Sequence, residues 1–293
     1  MKEIPFLKVQ SIGNDFILFL ERELTACFEA GGVREELVRA VSDRHKGVGS
    51  DGVLFMSPID SLQFDLRMFN PDGTEDFCGN GIRCASNYAR SNGWVGPRFM
   101  VHHGGRVLAV TDFGSGKFKT VLGSASYVPG DVPVLSAAEI FRFPLSVAGK
   151  EYEISSLNTG TTHTILLVRE LPGDAEFFEV SPLIEHHAMF PERTSVIWRT
   201  LHCPAQMRLR IWERGAGETQ GCGTGSTAAA AHWMRLTGET GPIEVHNPGG
   251  TLEIGGPSWD GDLEVVGVAH TMVQGELAAP FLEKLLPKAP SMI

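Results

Sequence analysis

The amino-acid sequence predicts an α+β protein built as two halves on a common plan, each a sheet of short strands wrapped around one helix. Three observations carry that expectation. The runs Cys78-Gly-Asn-Gly81 and Cys222-Gly-Thr-Gly225 share one grammar: a cysteine, two spaced glycines, then a helical stretch rich in small residues. They lie 144 residues apart in a chain of 293. The second helix, Ala228–Ala231 with Trp233 and Met234 and a stop at Gly238, has a small, largely apolar surface all round, which suits burial inside a sheet. Most of the remaining chain reads as short strands punctuated by Gly, Pro and Asn turns. Beyond the two cysteine turns the halves share little direct identity.

In the first half, Phe6–Gln10 and Phe16–Leu20 read as strands meeting at a Gly13-Asn14-Asp15 corner. Leu37, Val38 and Val41 give helical spacing to Val33–Ser42, and Val53–Met56 is a further strand. Gln63–Asn70 alternates, with Phe64, Leu66 and Met68 on one side, and ends in the turn Asn70-Pro-Asp-Gly73. A helix over Gly79–Ser91 follows, entered from Cys78, and then strands Phe99–His102, Arg106–Val110 and Phe118–Leu122. Pro129-Gly-Asp-Val-Pro133 breaks regular structure, so a boundary near Tyr127–Val134 divides residues 1–127 from 128–267, with 268–293 expected to complete the first half. The second half continues with strands Glu151–Ser155 and Thr164–Val168, a short helix around Pro182–His187, and strands Thr194–Trp198, Gln206–Trp212, Leu252–Ile254 and Leu263–Val268. The tail after Pro280 reads as peripheral.

Composition narrows the function. A net charge of −10 without any basic run argues against a nucleic-acid partner. No stretch approaches the roughly 18 apolar residues of a membrane span, and the first residues lack a signal-peptide core. Five cysteines are too few and too scattered for a disulfide framework, and fit a reducing, cytoplasmic setting. Spaced Cys/His pairs for zinc are missing, the adjacent pairs His102-His103 and His186-His187 are poor metal ligands, and neither a phosphate-binding loop nor a dinucleotide fingerprint occurs.

A cysteine just before a helix start sits in the partial positive charge of unpaired N–H groups, which favours thiolate and can also hold a carboxylate. Two such cysteines facing each other across a cleft could remove a proton from one face of a carbon and return one to the other. Backbone N–H groups at the helix mouths would stabilise the charge that develops. An isolated cysteine is more often an inert core residue; two in matching Gly-flanked helix mouths point to chemistry. Cys84, six residues past Cys78, points elsewhere on the helix, and Cys27 and Cys203 read as structural.

These segments resemble the two signature segments of the diaminopimelate epimerase family: Asn70-Pro-Asp-Gly-Thr-Glu75 with Cys78-Gly-Asn-Gly-Ile-Arg-Cys84, and the run from Glu213 to Gly225. Gly13–Phe16, Gly47–Gly52 and Phe190–Arg193 fit in order, so the resemblance spans essentially the whole chain. It implies a cofactor-independent epimerase of two pseudo-symmetric α+β domains, each a mostly antiparallel sheet around a central helix. Cys78 and Cys222 would be the acid/base pair, and the backbone of Gly79, Asn80, Gly223 and Thr224 would hold the reacting carboxylate. Asn14, Asn70, Glu213 and Arg214 would bind the substrate's amino and carboxylate groups, with Gly52, Thr161 and Ser195 also at the substrate. His163 would set the cysteine pKa values together with Glu213. The implied partner is a small-molecule amino acid, with no metal, and a homodimer accords with the resemblance.

Two departures bear on the substrate. The family usually has asparagine where this chain has Thr161 and Ser195, and both amides help hold the far carboxylate of diaminopimelate. A hydroxyl is shorter and lacks the reach of an amide, and losing a good bond to a charged group costs about 1.5–3 kcal/mol. Arg214 remains to bind that carboxylate. The sequence therefore supports an epimerase taking LL- to meso-diaminopimelate, with a racemase of another amino acid on the same scaffold as the alternative. A third reading, from a different class, is a binding protein in which Cys78 and Cys222 form a redox-responsive disulfide.

Overall fold

The structure is a computed structural model that describes residues 3–29, 33–203 and 205–285. In chain order its elements begin β1 (Ile4–Ser11), β2 (Asn14–Leu20), α1 (Glu21–Glu29), α2 (Arg34–Ser42), β3 (Gly52–Asp60), β4 (Gln63–Phe69) and α3 (Gly79–Ser91). Next come β5 (Arg98–His103), β6 (Arg106–Asp112), β7 (Lys117–Gly123), β8 (Phe143–Val147), β9 (Lys150–Asn158), β10 (Thr162–Leu167) and α4 (Asp174–Glu185). The chain continues through β11 (Ser195–Cys203), β12 (Gln206–Glu213), β13 (Gly217–Thr219), α5 (Gly223–Thr237), β14 (Ile243–Asn247), β15 (Gly250–Gly255) and β16 (Leu263–Val268). It closes with β17 (His270–Leu277) and α6 (Ala279–Glu283). The described residues form two compact units, one from Met1–Phe118 with Val268–Ile293, the other from Lys119–Gly267.

In the first unit the strands lie in the order β17-β1-β2-β3-β4-β5-β6. Across that order the pairings run antiparallel, antiparallel, parallel, antiparallel, parallel, antiparallel. In the second unit β8-β9-β10-β11-β12-β14-β15 repeat the same succession of senses. A parallel neighbour needs a crossover, and each unit places its helices there. α1 and α2 join β2 to β3 and α3 joins β4 to β5; α4 joins β10 to β11 and α5 lies between β12 and β14. The halves are therefore alike in topology, although the first borrows its opening strand, β17, from the far end of the chain.

Each sheet has a helix on both faces at its centre. On β3 the residues Gly52–Met56 are all buried, and on β11 so are Ser195–Arg199. Val53 and Phe55 pack with Leu37, Val38 and Val41 of α2, while Val196 and Trp198 pack with Phe177, Val180 and Ile184 of α4. The alternate residues face the inner helices. α3 packs on β1, β2, β3, β4 and β17, and α5 on β9, β10, β11, β14 and β15. The α5 surface meets the expectation from its composition: Gly223–Met234 are buried without a break, and Gly238 ends the helix in the left-handed region with φ 79°.

Three expectations change. The short helix around Pro182–His187 is the end of the longer α4, which starts at Asp174 because Phe177, Val180 and Ile184 bury one stripe; Pro182 falls in its last turns. The strands β8, β13, β14 and β17 and the helices α1 and α6 have no counterpart in the sequence reading. The tail after Pro280 is not wholly peripheral, since Leu282 joins the core of the first unit; residues 286–293 lie outside the described residues.

Candidate functional site

Both cysteines cap helices in the same way. Cys78 precedes α3 with extended φ/ψ of −141° and 109°, and its Sγ accepts from the Gly81 N–H at 3.4 Å. Cys222 precedes α5 with −126° and 114°, and its Sγ accepts from the Gly225 N–H at 3.3 Å. A side chain at each third helical position would force its neighbour to shift: a Cβ on Gly81 would lie 2.9 Å from Leu54 Cδ2, and one on Gly225 2.8 Å from Ile197 Cδ1. The first-turn N–H groups that point from each mouth have no acceptor within their own helix, which is the property an anion site uses.

Register extends the equivalence. Leu54 pairs with Met68, and Ile197 with Ile211. Two residues back along β3 and β11 stand Gly52 and Ser195; two residues beyond Met68 and Ile211 stand Asn70 and Glu213. The parallel neighbours of Gly52 and Ser195 are Phe16 and His163, so Asn14 and Thr161 also correspond. The candidate residues Gly52, Asn70 and Asn14 thus occupy in one unit the positions held by Ser195, Glu213 and Thr161 in the other.

In the first unit Asn14 Oδ1 accepts from Asn80 Nδ2, and Asn14 Nδ2 donates to Asp51 Oδ2 at 3.4 Å. Asn80 Oδ1 in turn accepts from Arg83 Nη2, and Arg83 Nε donates to Ser11 Oγ at 3.0 Å. Arg83 is wholly buried; burial lowers its pKa to about 10, an effect that Cys84 and Cys78 offset in part, and it remains a cation. Asp15 and Asp51 close the corner through Arg44, whose Nη2 donates to Asp15 Oδ1 at 2.9 Å and to Asp51 Oδ1 at 2.6 Å, and Lys8 also pairs with Asp15. Burial alone would raise the Asp15 carboxyl, but the bonds from Arg44 and Lys8 hold it down to about 2. Asn70 is fixed by its turn: its N–H donates to Thr74 O at 2.8 Å and its Nδ2 to Thr74 Oγ1 at 3.1 Å.

His103, read from the sequence only as one of an adjacent pair, is bonded to the Cys78 backbone. The Cys78 backbone N–H donates to His103 Nε2 at 2.9 Å, so the ring proton must sit on Nδ1, which donates to Leu66 O at 3.0 Å. Burial lowers the pKa of this imidazole, and Phe77 stacks on it at 5.1 Å. The alternation Phe99, Val101, His103 along β5 would have turned it inward. His102 instead bonds Gln63 Oε1 at 2.8 Å, and no metal-binding group of His, Cys, Asp or Glu occurs among the described residues.

In the second unit Cys222 Sγ is 3.4 Å from Thr224 Oγ1, which is 3.3 Å from Thr161 Oγ1, which is 2.9 Å from His163 Nε2. A chain of hydroxyls thus links the buried His163 to the sulfur. Burial, then the positive charge of Arg214, lowers the His163 pKa to about 3, so the ring is neutral. Burial and the carboxylate of Glu213 push the Cys222 thiol well up, against the hydrogen bonds from Thr224 and Gly225. Glu213 Oε1 accepts from Thr219 Oγ1 at 2.6 Å. Ser195 Oγ accepts from the Arg214 N–H at 3.1 Å, and Arg214 Nη1 donates to Glu192 O at 3.0 Å. Cys84 and Cys27 are buried with thiols pushed up by burial, and Cys203 is exposed.

The family model described as diaminopimelate epimerase matches residues 6–128 and 155–265. The chain belongs to the diaminopimelate epimerase family. A diaminopimelate epimerase of Microcystis aeruginosa is 32% identical over 282 residues, covering 93% of this chain and 98% of the relative. One from Synechococcus sp. (strain JA-3-3Ab) is 36% identical over 275 residues, covering 90% and 93%. The fold is shared with solved structures of lower identity. A hydroxyproline epimerase from Agrobacterium vitis with bound trans-4-OH-L-proline has a TM-score of 0.65 at 14% identity, covering 94% of this chain and 93% of that one. A phenazine biosynthesis protein of the PhzF family from Bacillus anthracis has a TM-score of 0.64 at 17% identity, covering 95% and 100%. The family's two-domain α+β architecture is the one described above, and both cysteine segments lie inside the matched residues.

Proposed function

We propose that this chain is a cofactor-independent epimerase of LL- and meso-diaminopimelate, in which Cys78 and Cys222 are the acid/base pair. The observation that carries the reading is the pair of cysteine N-caps at equivalent points of two units with one topology. One sulfur as thiolate takes the α-proton and the other as thiol returns one to the opposite face. First-turn N–H groups of Gly79, Asn80, Gly223 and Thr224 receive the carboxylate, whose charge grows as the α-carbon ionises. Asn14, Asn70, Glu213 and Arg214 hold the amino and carboxylate groups. His163 acts on Cys222 through Thr161 and Thr224. The reduced state the two sulfurs require accords with a cytoplasmic setting; no helix of the described residues is long and apolar enough to cross a membrane.

A second reading, racemisation of another amino acid, is favoured by the bonds of the two short hydroxyls. Thr161 is engaged with His163 and Thr224, and Ser195 with the Arg214 backbone, so both are turned toward the protein. The test is α-proton exchange by reduced protein in heavy water, without added cofactor, on diaminopimelate and a panel of L-amino acids. Deuterium entering diaminopimelate is the expected result. Entry into a different amino acid alone would replace the substrate, and no exchange anywhere would overturn the enzymatic reading.

A further inference from the structure

Among the buried polar atoms of the second unit that have no partner among the described residues, besides Thr120 Oγ1 and His163 Nδ1, four are donors of Tyr127, Arg199, His232 and Arg235. Arg199 on β11 is wholly buried, and its Nε and Nη2 both donate to Nδ1 of His232 on α5, at 3.1 and 3.0 Å. Since Nδ1 accepts, the ring proton lies on Nε2, which is buried with no partner. Arg199 Nη1, Tyr127 Oη and Arg235 Nη1 are likewise buried and unpartnered. Tyr127, His232 and Arg235 gather at the Phe141 ring, and Arg199 joins them through its bonds to His232. The rings of Tyr127 and His232 lie 5.6 and 5.5 Å from it, and the Arg235 guanidinium carbon 4.3 Å above it.

The charge count is as uneven as the donor count. Burial lowers the Arg199 pKa to about 10, so the group is a cation at neutral pH, and Arg235 adds a second. Burial, then Arg199 and Arg235, pushes His232 well below the usual imidazole range, which keeps it neutral. The one carboxylate bonded to either arginine is Glu139, which accepts from Arg235 Nη2 at 2.6 Å and is 42% exposed; Arg199 has none among the described residues. A buried cation without an anion is costly, and unsatisfied buried donors in a native fold call for an occupant. Water would supply acceptors but no charge.

We propose that Arg199, His232, Tyr127 and Arg235 bind one small inorganic anion, a halide, in the interior of the second unit. His232 lies ten residues along α5 from Cys222, about 15 Å of helix, so the ion is structural and braces the cysteine-bearing helix rather than occupying its mouth. Crystals of the intact protein soaked in bromide are expected to show an anomalous peak within hydrogen-bond reach of Arg199 Nη1 and His232 Nε2; water there with no bromide peak overturns the proposal. In solution, replacing gluconate by chloride at fixed ionic strength is expected to raise the melting temperature by roughly 3–5 °C for each tenfold excess over the dissociation constant. Arg199→Leu should abolish that shift. Tyr127→Phe, which removes one O–H and keeps the ring, should weaken the apparent chloride affinity several-fold even if the leucine variant does not fold. A melting temperature indifferent to chloride, or a shift that Tyr127→Phe leaves unchanged, overturns it.

Discussion

At the scale of single residues, the two cysteines share a geometry and differ in their charge surroundings. Cys78 lies within the electrostatic reach of the buried cation Arg83. Cys222 has the Glu213 carboxylate as a neighbour and is pushed toward the neutral thiol. General acid–base groups contribute about 10²–10⁴-fold each, so Cys78→Ser and Cys222→Ser should each slow inversion by at least that much. Steady-state epimerisation assays check this, and full activity in either variant would end the two-cysteine mechanism. The rate should be bell-shaped in pH, because one sulfur must be ionised and the other protonated, with apparent pKa values that belong to the pair.

At the scale of elements, the inner helices sit tightly on the central strands because the third residue of each is glycine. Adding a Cβ at Gly225 would press on Ile197 Cδ1 and on Cys222 Sγ at 3.3 Å; at Gly81 it would press on Leu54. Overpacking of this kind costs about 1–3 kcal/mol. Gly225→Ala should lower the urea midpoint accordingly and reduce activity beyond the stability loss, since the sulfur itself must shift. An unchanged midpoint would show that the helix mouth has slack. The glycine spacing that makes this fit was legible as a motif before any fold was known, as were both helices and the alternation of β4. The corner at Asn14 was legible as a turn, but its clasp of Asp15, Asp51, Lys8 and Arg44 was not, because it joins residues up to 43 positions apart. His103 was visible as one of an adjacent pair, and only strand pairing shows which of the two faces Cys78. The equivalence of Asn70 with Glu213 is a matter of register and leaves no trace in residue identity.

At the scale of the molecule, two units of one topology have diverged in what they bury, and three neutral histidines are the titratable mark of that. His103 lies in the first unit, His163 and His232 in the second, each with its pKa lowered chiefly by burial, His163 to about 3. In the unfolded chain each would titrate near pH 6.5. Below that pH the unfolded state binds protons that the folded state refuses, so stability is fully present above about 6.5 and is lost as pH falls toward the folded values. Each histidine contributes a slope of up to about 1.4 kcal/mol per pH unit in that window. The acidic corner acts later: Asp15, held at about 2 against 3.8, begins to count only below about pH 4. Lowering the pH from 8 to 5 therefore isolates the histidines. The urea midpoint should fall steadily over that range, and His163→Gln, which can still bond Thr161, should flatten the fall by its own share. Equal midpoints at pH 8 and pH 5 would mean that the buried rings take up protons in the folded state, and that the neutral imidazole beside Thr161 is not what holds the Cys222 relay in place.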